Sequence, residues 1–357
     1  MPTEADVPFL ALLVHRGHLP RERAEELLPE LKRGAVLDRL LVDRIGWEPE
    51  KVARLRRTRA GEIPEIPGYE ILGRLGAGGT ADVFRAREKK TGNILALKIL
   101  KEKCAAQKAT LAAFVAEARL LQKLEHPGLV KGHGVARYGD LYFSKLECIE
   151  GSTLLEMLDA GQPFSEDAAL RAILAAAEVL AYLAGQNVIH RDVKPGNLML
   201  DHGGTIKLID LGFAGRPNDE ARPSDTAVGT AAYLSPEQAR GGAAADLRSD
   251  VYSLGVTLFH LVVGRLPFES SDDAEILRMQ VMKSLSSPEL KSRGLSPHLH
   301  YFVEKMMAKD ADLRYQSWGE LLGDIRAQIE GREKLDFERS SDEDTTTRRV
   351  RRRRRQF

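Results

Sequence analysis

The sequence predicts an α+β protein in which a small β-rich lobe precedes a large helical lobe, with a small all-α module before them and a disordered tail after them. Three observations favour this class. Short apolar runs separated by glycine-rich turns, between residues 69 and 100, are typical of strands. Apolar residues at helical spacing dominate after Gly151. Polar and arginine-rich sequence closes the chain and carries too little apolar surface to fold alone.

The composition is that of a globular protein. Of the 357 residues, 43% are hydrophobic and 29% are charged. The formal net charge of +1 gives no global field that would attract nucleic acid or membranes. The two cysteines, Cys104 and Cys148, argue against a disulfide framework and favour a reducing compartment.

The sequence also predicts where the protein resides. No secretory signal is recognisable, and the longest apolar stretch, around residues 254–263, falls short of the roughly 20 residues that span a bilayer. We therefore expect a cytoplasmic protein without a transmembrane segment.

Residues 1–62 are predicted to form a small helical module, whose role the sequence does not reveal. Gly17, Gly34 and Gly46 mark the expected helix ends. Pro64 and Pro67 discourage helix, so residues 63–67 are predicted to be a linker. The apolar residues at helical spacing are Leu10, Leu13, Val14, Leu27, Leu28, Leu31, Leu37, Leu40 and Leu41.

Residues 68–331 are predicted to form one domain. Strands are expected over 69–74, 81–87 and 94–100, and a helix is expected over about 111–124. Ser165 is a good N-cap for a further helix. Residues 250–263 are apolar on nearly every side, which is typical of a helix buried in a domain centre.

A glycine-rich turn joins the first two predicted strands. Glycines at such a turn let backbone N–H groups approach phosphates, and the following Val83 offers an apolar surface for an adenine ring. An ordinary hairpin turn is the alternative, and the motif does not decide between them by itself. The residues concerned are Leu75, Gly76, Ala77, Gly78 and Gly79.

Three polar residues follow one another closely after the predicted N-capped helix. Asp192 is a potential base, Lys194 a compact cation and Asn197 an amide able to bind a metal ion. Phosphoryl transfer needs these three kinds of group near one another. Asp210, in the run Asp-Leu-Gly, adds a carboxylate suited to a hard cation.

Together with Lys98 in the apolar run 96–99 and with the segment 229–237, these motifs resemble the bacterial-type (eukaryotic-like) serine/threonine protein kinase family. The resemblance covers Gly76 to Arg314, about two thirds of the chain. It implies the bilobal protein-kinase fold and transfer of the ATP γ-phosphate to serine or threonine hydroxyls of proteins, including this one. Lys194 favours serine and threonine over tyrosine. The family pattern is broken where Ala81 replaces a glycine, Leu211 a phenylalanine and Ser235 an alanine.

The resemblance also implies roles for individual residues. Asp192 would be the base, Lys194 would face the γ-phosphate, and Lys98 would be oriented by Glu117. Nucleotide binding would involve Leu75, Gly76, Ala77, Gly78, Gly79, Val83, Ala96 and Lys98, and the hinge residues Glu147 and Cys148 after the gatekeeper Leu146. Asn197 and Asp210 would hold Mg²⁺, with Mn²⁺ as a possible substitute.

Other residues are expected to support this machinery. The resemblance implies an ion pair between Glu237 and Arg314 and a role for Asp250 in holding the backbone of the catalytic loop. His190 is expected to pack rather than react. Thr230 is expected to contact Asp192 and Lys194. Arg191 is expected to bind a phosphate placed on Ser224 or Thr226.

The tail, residues 332–357, and two rival functions leave alternatives open. The tail, with its threonines and the seven arginines between Arg348 and Arg355, is predicted to be disordered; it could anchor nucleic acid or anionic lipid, accept phosphate, or simply be solvated. A pseudokinase scaffold should lack Lys98, Asp192 or Asp210, and all three are present. A small-molecule kinase should lack the 229–237 segment, which is also present.

Overall fold

The computed structural model describes residues 6–15, 18–59, 63–161, 164–215, 231–241, 245–285 and 295–330, with two short strands nearer the C-terminus. The chain divides into two compact units, Met1–Lys108 with Val135–Cys148, and Ala109–Gly134 with Ile149–Phe357.

The first unit begins with the predicted helical module. Its helices are α1 (Asp6–His15), α2 (Arg21–Lys32), α3 (Leu37–Asp43) and α4 (Pro49–Arg59). The leucines at helical spacing meet in one apolar cluster, which confirms the pattern read from the sequence. Arg56 crosses the module, since it donates to Asp6 and Asp38 and stacks over the Phe9 ring. The expected helix end at Gly17 lies outside the described residues.

A five-stranded sheet follows in the same unit. Its order is β1-β2-β3-β5-β4, with the strands β1 (Tyr69–Ala77), β2 (Ala81–Glu88), β3 (Ile94–Leu100), β4 (Gly132–Tyr138) and β5 (Leu141–Glu147). The three predicted strands are confirmed, although β1 continues beyond its predicted end at Arg74 into the glycine-rich turn. The short helix α5 (Glu102–Ala105) follows β3.

The register of the sheet gives it two chemically different faces. Val83 pairs with Lys98, and Lys98 pairs with Ser144, so these side chains share one face. Phe84 pairs with Leu97 on the other face, because successive residues of a strand alternate between faces. That second face is the apolar one.

Residues 63–67 are packed more closely than the predicted linker suggests. Ile63 and Ile66 are buried in the apolar cluster of the sheet, together with Phe84 and Leu97. Glu65 also lies 3.2 Å from Nε2 of His18 in the helical module. The isoleucine spacing was the signal for burial, and the two prolines concealed it. Ile63 and Ile66 of the predicted linker therefore contribute to the small-lobe core.

The second unit is mainly helical. Its helices are α6 (Lys108–Lys123), α7 (Leu154–Asp159), α8 (Glu166–Gly185), α9 (Pro236–Ala239), α10 (Leu247–Val263), α11 (Asp273–Met282), α12 (Pro297–Met306) and α13 (Trp318–Ile329). Ser165 caps α8 by accepting from the Ala168 N–H at 3.2 Å, as predicted. α10 is buried along nearly its whole length, and it packs against α8 and α12. A β-carbon on Gly255 would lie 2.7 Å from Cβ of Met306, so glycine permits this close approach of α10 to α12.

The second unit also contains a small antiparallel sheet of three strands. Its strands are β6 (Gly151–Thr153), β7 (Leu198–Asp201) and β8 (Ile206–Leu208). The sequence pattern does not indicate these strands, because each is only three or four residues long. Near the C-terminus, β9 (Asp336–Glu338) pairs antiparallel with β10 (Arg349–Arg351), a ladder that the predicted disordered tail did not include.

Within the described part of the chain, one helix is long and apolar enough to cross a membrane, namely α8, with a mean hydropathy of 1.6 over the window tested. Half of that window is buried inside the protein. Core helices of globular domains meet the same criterion, so this is weak evidence for a membrane span.

Candidate active site

The glycine-rich turn between β1 and β2 is a tight hairpin tip. The Gly78 N–H donates to the Ala81 carbonyl at 2.8 Å, which closes the tip. A β-carbon on Gly78 would lie 3.0 Å from that same carbonyl, so a side chain would crowd the turn. Leu75 is half exposed beside it. The tip is therefore closed by its own backbone, and its binding of a phosphate stays a prediction.

The polar face of the five-stranded sheet gathers several predicted nucleotide-binding residues. Val83 and Lys98 are register partners, and Ala96 pairs with Leu146 on the same face. Ala96 and Leu146 are buried and leave little side-chain bulk beside the lysine. Glu147 ends β5 as the partner of Leu95, and Cys148 follows it, partly exposed. The face therefore combines apolar side chains with the cationic side chains of Lys98 and Arg85, which pairs with Ala96.

The predicted catalytic loop of the second unit, residues 190–197, is held by a buried carboxylate. Asp250, on α10, accepts hydrogen bonds from the N–H groups of His190 at 2.8 Å and Arg191 at 2.7 Å. This confirms the predicted role of Asp250. Arg191 has a φ of 68°, a left-handed conformation that bulky residues rarely adopt, so hydrogen bonds such as these must offset its conformational cost.

Burial and hydrogen bonding have opposite effects on the pKa of Asp250. Burial raises the pKa of its carboxyl, while the backbone hydrogen bonds from His190 and Arg191 and the charge of Arg191 oppose that rise. His190 is itself buried and makes two further bonds: its Nε2 contacts the Asp210 carbonyl at 2.7 Å, and its Nδ1 accepts from the Asp192 N–H at 3.2 Å. A neutral imidazole protonated on Nε2 satisfies both contacts. The predicted packing role of His190 therefore includes hydrogen bonds that tie the catalytic loop to Asp210.

The two carboxylate oxygens of Asp192 have different surroundings. Oδ2 lies 2.9 Å from Nζ of Lys194 and accepts from Nδ2 of Asn197 at 3.0 Å. Oδ1 is buried, and no described residue bonds to it. A buried carboxylate oxygen without a partner is costly in an ordinary core, so an incoming donor is the natural complement to Oδ1.

Asn197 and Asp210 are brought together by the β7–β8 hairpin. Leu198 pairs with Leu208, and the Ile209 N–H donates to the Asn197 carbonyl at 3.0 Å. The Asn197 amide nitrogen donates to the carbonyl and the carboxylate of Asp192. The amide oxygen of Asn197 therefore points away from Asp192. Asp210 adds a carboxylate whose Oδ1 accepts from the Gly212 N–H at 2.9 Å. Oxygen ligands of these two types suit Mg²⁺.

Comparison with known proteins agrees with this geometry. A family model described as the protein kinase domain matches residues 69–323. The chain belongs to the protein kinase domain family. It is 34% identical over 271 residues to a probable serine/threonine-protein kinase of Streptomyces coelicolor, which covers 74% of this chain and 40% of that protein.

Two further relatives show the same extent of similarity. The serine/threonine-protein kinase PrkC of Bacillus subtilis is 31% identical over 263 residues, which cover 73% of this chain and 40% of PrkC. PknB of Mycobacterium tuberculosis is 33% identical over 264 residues, covering 72% of this chain and 42% of PknB. The chain thus matches about two fifths of the length of these curated relatives.

Glu117 of the kinase domain lies at the Asp210 loop. A β-carbon placed on Gly212 would be 3.6 Å from Oε2 of Glu117 and 3.2 Å from Oδ1 of Asp210. Because glycine at 212 has no side chain, the carboxylates of Glu117 and Asp210 can both lie close to the backbone there. Lys98 and Glu117 belong to different units, and their pairing stays a prediction.

The kinase domain contains the predicted ion pair between Glu237 and Arg314. Arg314 Nη1 and Nη2 lie 2.8 and 2.9 Å from the two carboxylate oxygens, and the arginine side chain is fully buried. Burial alone raises the pKa of Glu237, but the hydrogen bonds and charge of Arg314 outweigh it and lower the pKa to about 2.

Two contacts of the kinase domain escaped the sequence analysis. The Gln238 amide donates to the Arg191 carbonyl at 3.0 Å and so links α9 to the catalytic loop. The signal was the spacing of Ser235 and Gln238, which form a capping box at the start of α9. Lys101 contacts the glycine-rich turn, and nothing in its local sequence indicated this. The predicted sites Ser224, Thr226 and Thr230 lie outside the described residues.

Proposed function

We propose that this chain is a serine/threonine protein kinase that transfers the γ-phosphate of ATP to hydroxyl groups of proteins. The observation that carries the proposal is the environment of Asp192. One of its oxygens is fixed by Lys194 and Asn197, and the other is buried and has no hydrogen-bond partner among the described residues. A substrate hydroxyl is the donor that a phosphotransferase would supply there.

Residues of the first unit would hold the nucleotide. Gly76, Gly78 and Gly79, with Leu75 and Ala77, would present backbone N–H groups to the phosphates. The apolar side chains of Val83 and Ala96 would cover the adenine, and the backbone of Glu147 and Cys148 would bind its edge. Lys98 would contact the phosphates, and its predicted orientation by Glu117 belongs to this proposal.

Asn197 and Asp210 would hold the divalent cation that kinases use. Within the described residues no cluster of three or more His, Cys, Asp or Glu side chains could hold a metal ion. A site with one amide and one carboxylate fits Mg²⁺, which takes few protein ligands and completes its shell with phosphate oxygens and water. Mn²⁺ suits the same oxygen ligands. The cation would offset the negative charge of the phosphoryl groups.

The chain's own groups would then position the acceptor. Oδ1 of Asp192 would accept the hydrogen of the serine or threonine hydroxyl and aim its oxygen at the γ-phosphorus. The new oxygen–phosphorus bond forms as the bond to the bridging oxygen of ADP breaks, and the hydroxyl proton passes to Asp192. Lys194, already 2.9 Å from Oδ2 of Asp192, would offset charge on the transferring group.

The acceptor residues are inferred from two sources. The relatives carry serine/threonine-protein kinase in their names, and Lys194 follows the catalytic aspartate in this chain. Autophosphorylation of Ser224 or Thr226, with Arg191 as the phosphate partner, extends the same proposal. Cytoplasmic localisation and contact of the arginine-rich tail with nucleic acid or anionic lipid stay predictions. We retain residues 68–331 as the proposed catalytic domain and propose no role for residues 1–62.

Replacing Asp192 with Asn tests the proposal. We expect the rate of phosphate transfer from labelled ATP to fall about 10²–10⁴-fold, because the base or orienting group is lost. ATP affinity should stay near the wild-type value, since Asp192 is assigned to the acceptor. The label should reside on serine or threonine in the wild-type protein.

Asp140→Asn is the matched control. Asp140 has a 96% exposed side chain at the β4–β5 turn, so its replacement should leave transfer unchanged. Equal activity of Asp192→Asn and the wild type would refute the assignment. ATP binding by the wild-type protein without any transfer would favour a scaffold instead of an enzyme.

A further inference from the structure

We infer that Lys101 is a positioning residue that pre-orients the phosphate-binding backbone of the glycine-rich turn. The inference rests on the proposed function, because it assigns the turn to nucleotide phosphates. Lys101 lies immediately after β3 and was not among the residues that the sequence analysis singled out.

Lys101 donates two hydrogen bonds to the turn. Its Nζ donates to the Gly78 carbonyl at 2.5 Å, and its backbone N–H donates to the Thr80 carbonyl at 2.9 Å. The two carbonyl groups lie on either side of Gly79. One lysine therefore fixes both ends of the segment that carries the Gly79 N–H.

The ammonium group is held in place by a neighbouring carboxylate. Oδ1 of Asp82 lies 3.7 Å from Nζ of Lys101 and 2.6 Å from Nη2 of Arg74. Asp82 is on β2, Arg74 on β1, and Lys101 follows β3. The three side chains, called the loop clasp below, thus join three consecutive strand segments at the end where the turn begins.

The loop clasp contacts the turn on the face of the sheet opposite Lys98. Asp82 pairs with Ile99, which shares the apolar face with Leu97, whereas Val83 and Lys98 share the other face. The Gly78 carbonyl is therefore drawn toward the apolar side of the sheet.

Peptide geometry carries this constraint to the next N–H group. The Gly78 carbonyl and the Gly79 N–H belong to one planar trans peptide, in which the two bonds point in opposite directions. Holding the carbonyl toward Lys101 turns the Gly79 N–H away from it, toward the side of Val83 and Lys98. No described residue accepts that N–H, so it stays available to a phosphate oxygen.

Pre-orientation of the Gly79 N–H should increase the affinity of the turn for phosphate groups. A flexible glycine turn must lose conformational freedom when its N–H groups bind phosphate, and the clasp removes part of that cost before the ligand arrives. The adenine and its ring contacts do not involve the turn in this way. The clasp should therefore affect ATP more than adenosine.

The decisive experiment compares ATP with adenosine on the full-length chain. Dissociation constants for Mg²⁺–ATP and for adenosine are measured by calorimetry for Lys101→Met, Lys101→Arg and the control Lys103→Met. Lys103 is an exposed lysine two positions further on. Its variant removes the same charge without touching the clasp. Steady-state KM for ATP and kcat are measured in parallel, and thermal unfolding checks that each variant is folded.

Lys101→Met should weaken ATP binding and raise KM for ATP about three- to tenfold, as expected for the loss of one charge-assisted, partly exposed hydrogen bond. Its kcat should stay within about twofold and its adenosine affinity should be unchanged. Lys101→Arg should restore most of the ATP affinity, because a guanidinium can still donate to a carbonyl. Lys103→Met should match the wild type.

Two results would overturn the inference. The first is an unchanged ATP affinity in Lys101→Met. The second is an equal loss for ATP and adenosine, which would mean general damage to the lobe. If Lys101→Met does not fold, Asp82→Asn replaces it, with a smaller loss confined to ATP expected. A wild-type chain that binds ATP without transferring phosphate would refute the proposed function alone, and the ratio of ATP to adenosine affinities would still decide the role of Lys101.

Discussion

The catalytic loop and the glycine-rich turn are held in place by different physical means. The catalytic loop is anchored from within by Asp250, which is 2% exposed and accepts two backbone N–H groups. The glycine-rich turn is held from outside by the loop clasp, in which the Lys101 side chain is 30% and the Arg74 side chain 50% exposed. One loop depends on buried hydrogen bonds and the other on contacts that water and salt can reach.

The difference suits the tasks proposed for the two loops. A buried anchor that loses its partner leaves unsatisfied groups in a low-dielectric interior, so the catalytic loop has one well-defined conformation. Exposed ion pairs contribute about 0–1 kcal/mol each, so the turn can open at little cost. Placing an acceptor hydroxyl demands precision, whereas admitting ATP and releasing ADP demands movement.

Replacing Asp250 with Ala should have the largest effect. The N–H groups of His190 and Arg191 would lose their acceptor, and Arg191 would lose the support for its left-handed conformation. We expect unfolding to become easier by about 2–5 kcal/mol, for two buried N–H groups without partners. A catalytic group displaced by about an ångström should cost roughly 10²-fold in kcat. Chemical denaturation and steady-state kinetics measure both quantities.

Asp250→Asn sharpens this result, because the amide keeps one acceptor oxygen in nearly the same shape. Its losses should lie between those of the wild type and Asp250→Ala. Full activity in the alanine variant would mean that Gln238 and His190 hold the loop without Asp250. In that case the catalytic loop would not depend on a buried carboxylate, and it would no longer differ from the glycine-rich turn in this respect.

The Glu237–Arg314 pair predicts how stability depends on pH. The pKa of Glu237 is lowered from 4.5 to about 2, so the folded state favours the charged carboxylate. The corresponding stability is present above pH 4.5 and is lost as pH falls through about 2. Its size is about 3 kcal/mol, since each pKa unit corresponds to about 1.4 kcal/mol. Glu237→Gln should flatten the stability curve in that window, as measured by denaturant unfolding between pH 5 and 2.

Exposed pairs provide the control for the pH experiment. Glu178 contacts Arg326 at 2.6 Å, but both side chains are more than 40% exposed. Glu178→Gln should leave the stability curve nearly parallel to that of the wild type. Equal pH responses of the two variants would show that burial does not strengthen the Glu237–Arg314 pair.

Local sequence patterns predicted much of the architecture. The strands β1 to β3, the helix capped by Ser165 and the buried helix α10 all had strong periodic or capping signals, and all are present. The proximity of Asp192, Lys194 and Asn197 was also predictable, because they follow one another closely in the chain; their catalytic roles stay predictions. Their contacts with one another are mostly local.

Long-range contacts were harder to predict from a single sequence. Ile63 and Ile66 pack into the small-lobe core, although Pro64 and Pro67 made the segment read as a linker. Lys101 reaches back 23 residues to Gly78, a contact that depends on the register of three strands. The resemblance to kinases did supply the distant partners Asp250 and Arg314, because those positions belong to recognisable motifs.

The smallest effect should come from the outermost member of the clasp. Arg74→Gln removes an ion pair whose arginine side chain is 50% exposed. We expect KM for ATP to rise by less than about threefold, with the difference shrinking at high salt because exposed charges are screened. Arg137→Gln, which removes a similarly exposed arginine at the β4–β5 turn, is the control. An effect larger than that of Lys101→Met would mean that Asp82 holds the turn mainly through Arg74, and the grip on the Gly78 carbonyl would then be secondary. A small, salt-sensitive effect would instead fit a turn that is oriented by Lys101 and only steadied by its neighbours.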